Sequence, residues 1–204
     1  MDPYHDGKEW AVDIRSQISQ ESLFGTIIGR GSEKKREILA KFPHIFLYVT
    51  GNGIRGPDGR RDDGPLRVVV RGPRRDEIAA ASIYVADRID FRYHVDRIIG
   101  EPFLRGNMWH VKVESPLPEQ VLFDTIVGRG GIIKKRLVEE HGGIYINLKG
   151  GGLKGASYGN FDEDRAPLHV DISSGKHDEK EKVLNAAISI AKILVEEAKY
   201  QGRL

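Results

Sequence analysis

The chain has 204 residues, of which 39% are hydrophobic and 30% are charged, with 32 Lys and Arg against 30 Asp and Glu. This composition is too apolar for a disordered chain, and no run approaches the roughly 18 apolar residues of a membrane-spanning helix. A protein that binds polyanions strongly and without specificity usually carries more net positive charge than this. The absence of cysteine excludes disulfides and thiolate chemistry.

The periodicity of the first half predicts the element order β-α-α-β-β-α. Alternation of apolar and polar residues indicates strands, and apolar residues three and four positions apart indicate helices. The predicted segments are a strand over 10–16, helices over 20–28 and 33–42, strands over 44–49 and 66–70, and a helix over 76–90. Residues 50–64 are rich in glycine and charge, so we expect a loop that does not pack.

The second half repeats this order 99 residues later, counted from Gly29 to Gly128. Residues 24–49 and 123–148 are identical at 8 of 26 positions. The predicted segments are a strand over 109–115, helices over 119–127 and 132–141, strands over 144–148 and 168–172, and a helix over 177–200, with a loop over 149–165. A repeat of this length predicts two domains, over 8–93 and 107–204. The intervening residues 94–106 form a linker within the apolar segment 91–108, which is too apolar to be flexible. We expect this segment to extend the last helix of the first copy and then to pack between the domains.

A glycine turn between two helices occurs in both copies, as IIGRGS over 27–32 and IVGRGG over 126–131. Glycine lets a ligand approach the backbone closely, and the free N–H groups at the start of the next helix attract anions. The sequence KKR follows each turn, over 34–36 and 134–136. The positive charge is therefore local, and the pattern predicts a phosphate site.

An aliphatic pair followed by G-x-x-G, between the helices of a β-α-α-β-β-α unit, resembles the type I K-homology (KH) domain. The resemblance covers about 8–93 and 107–200 and implies an α+β fold of two tandem domains, each a three-stranded antiparallel sheet packed against three helices. In this family the loop holds the backbone of about four nucleotides of single-stranded RNA or DNA. The resemblance implies a non-enzymatic role in post-transcriptional regulation, and it is compatible with a fragment of a longer multi-KH, vigilin-like protein.

The resemblance also implies which residues contact the nucleic acid. In the second copy they are the turn residues Gly128, Arg129, Gly130 and Gly131, the groove residues Ile126, Val127, Ile144 and Ile146, and the cations Lys134 and Lys135. In the first copy they are Gly29, Arg30, Gly31 and Ser32, with Ile27, Ile28, Lys34 and Lys35. Ser32 replaces the fourth glycine of the family pattern. We expect its Cβ to narrow the approach, and its hydroxyl to cap the following helix.

Other kinds of site have weaker support. Residues 51–56 match the dinucleotide pattern G-x-G-x-x-G, but Pro57 and Gly59 follow, where such a site requires a helix. The seven histidines form no close pair, and the acidic cluster at 162–164 lies in a glycine-rich loop. We therefore predict no catalytic residue, no cofactor and no metal.

The predicted partner is single-stranded RNA, with single-stranded DNA as the alternative and no membrane. A rival hypothesis is a protein-interaction scaffold whose RNA contacts have degenerated, which the near-neutral charge and Ser32 favour. Arg30 and Arg129 favour RNA binding. Because cysteine is absent and the N-terminus is polar, we expect no signal peptide and a cytoplasmic protein, with the nucleus as the alternative location.

Overall fold

The computed structural model describes residues 2–150, 166–176 and 178–204. Helices and antiparallel sheets combine in an α+β fold, and the chain divides into two compact units, Met1–Tyr93 and His94–Leu204. Among the described residues, no helix is long and apolar enough to cross a membrane. Most of the predicted loop over 149–165, including the acidic cluster at 162–164, lies outside the described residues.

The first unit has four strands in one sheet, a small hairpin and three helices. In chain order they are β1 (Tyr4–His5), β2 (Trp10–Arg15), α1 (Gln20–Ile27), α2 (Glu33–Lys41), β3 (Phe46–Thr50), β4 (Ile54–Arg55), β5 (Arg61–Asp62), β6 (Arg67–Gly72) and α3 (Arg75–Ile98). The sheet order is β1-β2-β6-β3, and every neighbouring pair is antiparallel.

One face of this sheet and the apolar faces of the helices form the core of the first unit. Val12 and Leu47 pair with Val70 from its two sides, and all three side chains are buried. Helices α1, α2 and α3 contribute fully buried residues, among them Leu23, Ile27, Ile38, Ile78 and Val85. Burial of such a side chain stabilises the fold by roughly 1.5–3 kcal/mol. Because Ile27 at the end of α1 and Ile38 in α2 are both buried in this core, the two helices are anchored on either side of the turn that joins them.

A fourth strand extends each sheet beyond the three predicted. In the first unit, β1 pairs with β2 through Tyr4 and Ala11. The Asp6 carboxylate closes the connecting turn, because its Oδ1 accepts hydrogen bonds from the backbone N–H groups of Lys8 and Glu9 at 3.0 Å each. A strand of two residues carries no periodicity, so the sequence pattern did not reveal it.

Residues 50–64 were expected not to pack, and that expectation is wrong. Strands β4 and β5 form an antiparallel hairpin in which Ile54 pairs with Asp62. The Asp62 carboxylate accepts hydrogen bonds from the Thr50 hydroxyl at 2.8 Å and from the Gly64 N–H at 2.9 Å. Arg67 lies 2.9 Å from the same carboxylate. Charge in this segment therefore serves to order it.

The second unit has the same order of elements in its described part. They are β7 (Phe103–Arg105), β8 (Met108–Glu114), α4 (Glu119–Ile126), α5 (Ile132–His141), β9 (Ile144–Lys149), β10 (His169–Ser174) and α6 (Lys180–Tyr200). The sheet is antiparallel in the order β7-β8-β10-β9. The residues predicted to share one face of the last helix are all buried: Val183, Ala187, Ile190, Leu194 and Ala198.

Helix α3 continues past residue 90 and ends at Ile98, which confirms the expectation that the following residues extend this helix. Residues 94–98 therefore belong to a helix, and β7 occupies Phe103–Arg105 of the segment predicted as a linker. Ile99 forms an isolated bridge with Val113 of β8, and the Gly100 N–H donates to the Lys112 carbonyl at 2.8 Å. The segment that follows the first repeat is thus bound into regular structure.

Candidate nucleic-acid interface

The two glycine turns have the same backbone conformation. Between α1 and α2, the φ and ψ angles are 73° and 172° at Gly29, and 63° and 24° at Ser32. Between α4 and α5, they are 70° and 174° at Gly128, and 75° and 17° at Gly131. The third positions, Gly31 and Gly130, have φ angles of 58° and 64°. Each turn includes a single 3-10 turn, Arg30–Ser32 or Arg129–Gly131.

The first glycine of each turn is required by space as well as by its positive φ. A Cβ on Gly29 would lie 2.6 Å from the Lys34 Cγ, and one on Gly128 would lie 2.7 Å from the Ile133 Cγ1. The Gly29 N–H donates to the Phe24 carbonyl at 2.9 Å, which ends α1 in the manner of glycine C-caps. The incoming helix therefore packs directly against this glycine.

The middle of each turn presents open backbone to solvent. Within the described part of the chain, the N–H groups of Arg129 and Gly130 have no carbonyl partner, and neither do those of Arg30 and Gly31. A Cβ built on Gly130 meets no atom within 4 Å. Helices of nine and ten residues begin directly after the turns, so the positive end of each helix dipole reinforces these N–H groups. The arrangement suits an anion.

Ser32 keeps the turn but does not cap the helix. Its left-handed backbone replaces the extended conformation of ordinary N-cap residues, and its side chain makes no capping hydrogen bond. The expectation of a serine N-cap is therefore wrong. The side chain is exposed, and the conformation that glycine adopts freely costs a residue such as serine roughly 1–2 kcal/mol.

The aliphatic residues predicted for the groove lie at two depths. Those that face the core are Ile27 and Ile126, both 0% exposed, with Ile144 at 2% and Ile146 at 1%. Ile28 and Val127, which end α1 and α4, are half-buried and reach the surface beside the turns. At each turn separately, a ligand that reached the aliphatic pair would touch Ile28 in the first unit or Val127 in the second, because Ile27 and Ile126 are buried.

The lysines that follow the turns differ between the copies. Lys34 lies 3.6 Å from Glu37, and Arg88 of α3 lies 3.1 Å from the same carboxylate. The hydrogen bond and charge of Arg88 lower the pKa of Glu37. In the second copy, Lys134 and Lys135 have no acidic partner among the described residues. The positive charge of the second turn is therefore the less neutralised of the two.

Three residues beside the turns were not singled out from the sequence. Phe24 and Phe123 stand at equivalent positions of α1 and α4, and their side chains are 36% and 47% exposed. One position later, Gly25 in the first copy corresponds to Asp124 in the second, whose carboxylate accepts hydrogen bonds from the Gln120 amide at 3.2 and 3.3 Å. The identity of Phe24 and Phe123 within the repeat was the available signal.

A buried polar cluster lies on the face of the second sheet away from the helices. Asp171 of β10 is 2.7 Å from the Lys149 Nζ and 3.1 Å from the His110 Nδ1. Burial acts to raise the pKa of Asp171, but the hydrogen bonds from Lys149 and His110 outweigh burial and leave this pKa lowered. The described residues include no group of three or more His, Asp or Glu that could hold a metal ion.

No family model matches the chain, and no curated protein matches its sequence.

Proposed function

We propose that the chain binds single-stranded nucleic acid, RNA before DNA, through two KH units and without catalysis. One observation carries the proposal: two glycine turns, 99 residues apart, share one backbone conformation, and each exposes N–H groups at a helix start that have no carbonyl partner among the described residues. An exposed arginine stands in the middle of each turn. The choice of RNA rests on the resemblance to KH domains.

In this proposal each turn holds a phosphate of the bound strand. Phosphate oxygens accept hydrogen bonds from the N–H groups of Arg129 and Gly130, and the Arg129 guanidinium adds charge. Lys134 and Lys135 extend the positive surface along α5, toward a neighbouring phosphate. In the first unit, the N–H groups of Arg30 and Gly31 and the Arg30 guanidinium hold a phosphate in the way that Arg129 and Gly130 do in the second. Contacts of this kind position the strand but do not select its sequence.

Fluorescence polarisation of a labelled random single-stranded RNA pool tests the proposal in the full chain. Arg129→Asp with Gly130→Asp removes one positive charge and adds two negative ones at the second turn, and Arg30→Asp with Gly31→Asp does so at the first. Asp tolerates the left-handed conformation better than most residues, so the turns should persist. Each double variant should weaken binding at least tenfold, about 1.4 kcal/mol, and the quadruple variant should abolish it.

The matched control is Asn185→Asp with Lys192→Asp, which makes the same change in charge on the exposed face of α6. It should weaken binding much less than either turn variant, and weakening equal to theirs would show that only net charge matters. Wild-type affinity in the quadruple variant, with an unchanged circular dichroism spectrum, would exclude the turns as the binding site. No binding by the wild-type chain would refute the proposal and favour the protein-interaction scaffold.

A further inference from the structure

Each glycine turn is preceded by an exposed phenylalanine. Phe123 is 47% exposed and Phe24 is 36% exposed. The Phe123 carbonyl accepts hydrogen bonds from the N–H groups of Val127 at 2.8 Å and Gly128 at 3.3 Å, so the residue lies in the last turn of α4. Its ring therefore stands about one helical turn from the candidate phosphate site.

The direction of the Phe123 ring follows from the neighbours of α4. Val121 and Thr125 line a cleft with Ile193 of α6. Phe123 is two residues from each of them, about 200° around a helix of 3.6 residues per turn, and so lies on the opposite flank. Val127 is four residues beyond Phe123 and shares this flank, half-buried. The ring and Val127 thus form one apolar strip that leads to the turn.

Basic groups border this strip. The backbone N–H of Lys134 lies 3.4 Å from the Val127 carbonyl, which places the start of α5 against the end of the strip. Arg129 is exposed in the turn itself. The first unit has Phe24, Arg30 and Lys35 at the equivalent positions, and Ile28 in place of Val127. An exposed apolar ring bordered by cations suits a ligand that is flat and apolar on its faces and anionic along its edge.

We infer that Phe24 and Phe123 each stack on an unpaired base of the strand whose phosphate the adjacent turn holds. This inference rests on the proposed function. A nucleotide combines a π-face and a phosphate in one residue, and stacking of a base on an aromatic side chain contributes about 1–3 kcal/mol. A base in a duplex has both faces covered by its neighbours. The phenylalanines therefore give the interface its preference for single strands, which the phosphate contacts alone do not provide.

The test uses the full chain and a short single-stranded RNA that contains one 2-aminopurine, whose fluorescence falls when it stacks. Phe123→Leu keeps apolar volume but removes the π-face, whereas Phe123→Trp keeps it. We expect Phe123→Leu to weaken binding five- to tenfold, about 1–1.4 kcal/mol, and to abolish the quenching at one nucleotide position. Phe123→Trp should preserve both. Tyr200→Leu, which removes an 88% exposed aromatic side chain at the end of α6, is the matched control and should change neither.

The outcomes separate this inference from the proposed function. If Phe123→Leu leaves affinity and quenching unchanged while Arg129→Asp with Gly130→Asp weakens binding, stacking is refuted and the phosphate site stands. If Phe123→Leu weakens duplex binding as much as single-strand binding, the ring does not select unpaired bases and the inference also fails. If the wild-type chain binds no RNA, the proposed function fails, and with it the inference. Capture of a protein through Phe24 and Phe123 would then identify the strip as a protein contact.

Discussion

Ser32 adopts the backbone conformation that Gly131 adopts at the equivalent position of the second copy. Their φ angles are 63° and 75°, and their ψ angles are 24° and 17°. The conformation is unstrained for Gly131 and strained for Ser32. Two hydrogen bonds enforce it in the first copy, from the Gly29 N–H to the Phe24 carbonyl at 2.9 Å and from the Lys35 N–H to the Ile28 carbonyl at 3.1 Å. The surrounding helices thus determine the turn even without the fourth glycine.

Exchange of the two residues should therefore change the stability of the units in opposite directions. Ser32→Gly should stabilise the first unit by about 1 kcal/mol, and Gly131→Ser should destabilise the second by a similar amount. Each unit contains one tryptophan, Trp10 or Trp109, so urea unfolding of the full chain can be followed for one unit after the other tryptophan is replaced by Phe. A loss of stability in Ser32→Gly would contradict the strain argument.

The second unit should lose stability in acid through Asp171. The pKa of this carboxyl is lowered in the folded state, so its ionised form stabilises the fold above the unfolded pKa of about 3.9. The contribution is lost as the pH falls below 3.9 and through the lower folded pKa. Asp171→Asn should destabilise the unit by about 3 kcal/mol at neutral pH, because it removes the buried carboxylate that pairs with Lys149 and His110, and should remove this acid dependence.

Urea unfolding of the second unit, followed through Trp109 between pH 6 and pH 3, measures both effects. Asp178→Asn is the matched control, since Asp178 is exposed and none of the structure's ion pairs involves it within the described residues. It should leave stability and its pH dependence close to those of the wild type. An undiminished acid dependence in Asp171→Asn would mean that another carboxyl is responsible.

The hairpin of β4 and β5 should depend on the Asp62 carboxylate. Asp62→Asn removes the charge that faces Arg67 and weakens the hydrogen bonds from Thr50 and Gly64. Amide exchange at Gly53 and Gly56, which donate to carbonyls across the hairpin, should become faster than in the wild type. Asp63→Asn is the control, because within the described part of the chain the ion-pair partner of Asp63 is the exposed Arg61, at 3.2 Å. Equal exchange in both variants would show that the hairpin forms without Asp62.

The sequence predicted the helices and strands that are long enough to show hydrophobic periodicity, and the repeat predicted the same element order in the second half. Ile38 and Leu137 are 99 residues apart and both are buried, so the two helices after the turns have the same phase relative to their cores. Strands β1 and β7 have two and three residues, too few for a period. The sequence pattern did not reveal the hairpin of β4 and β5, because glycine and charge are typical of loops that do not pack, whereas Asp62 uses its charge in local hydrogen bonds.

The candidate site was only partly predictable for a different reason. The glycines and arginines of the turns are local in sequence, and a helix after glycine exposes N–H groups whatever else surrounds it. The pairing of Glu37 with Arg88 joins residues 51 positions apart, so no local pattern encodes it. Exposure of Phe123 likewise depends on which flank of α4 faces α6. The glycines and arginines of the turns could therefore be predicted, whereas the pairing of Glu37 with Arg88 and the exposure of Phe123 could not.

The last prediction concerns Gly25 and Asp124, which occupy equivalent positions beside the two turns. Asp124 places a carboxylate in the last turn of α4, beside the second turn. A carboxylate roughly 6 Å from a phosphate repels it by about 0.7 kcal/mol in water. Asp124→Asn keeps a hydrogen-bond partner for Gln120 and should raise RNA affinity about threefold. Gly25→Asp should lower it about as much, and a Cβ at Gly25 meets no atom within 4 Å, so the side chain fits. Both changes in RNA affinity should be smaller at high salt.

Glu196→Gln, on the exposed face of α6, is the control. Polarisation titrations at two salt concentrations decide the matter: a rise for Glu196→Gln as large as that for Asp124→Asn would mean that the carboxylate acts through net charge alone and not from beside the turn.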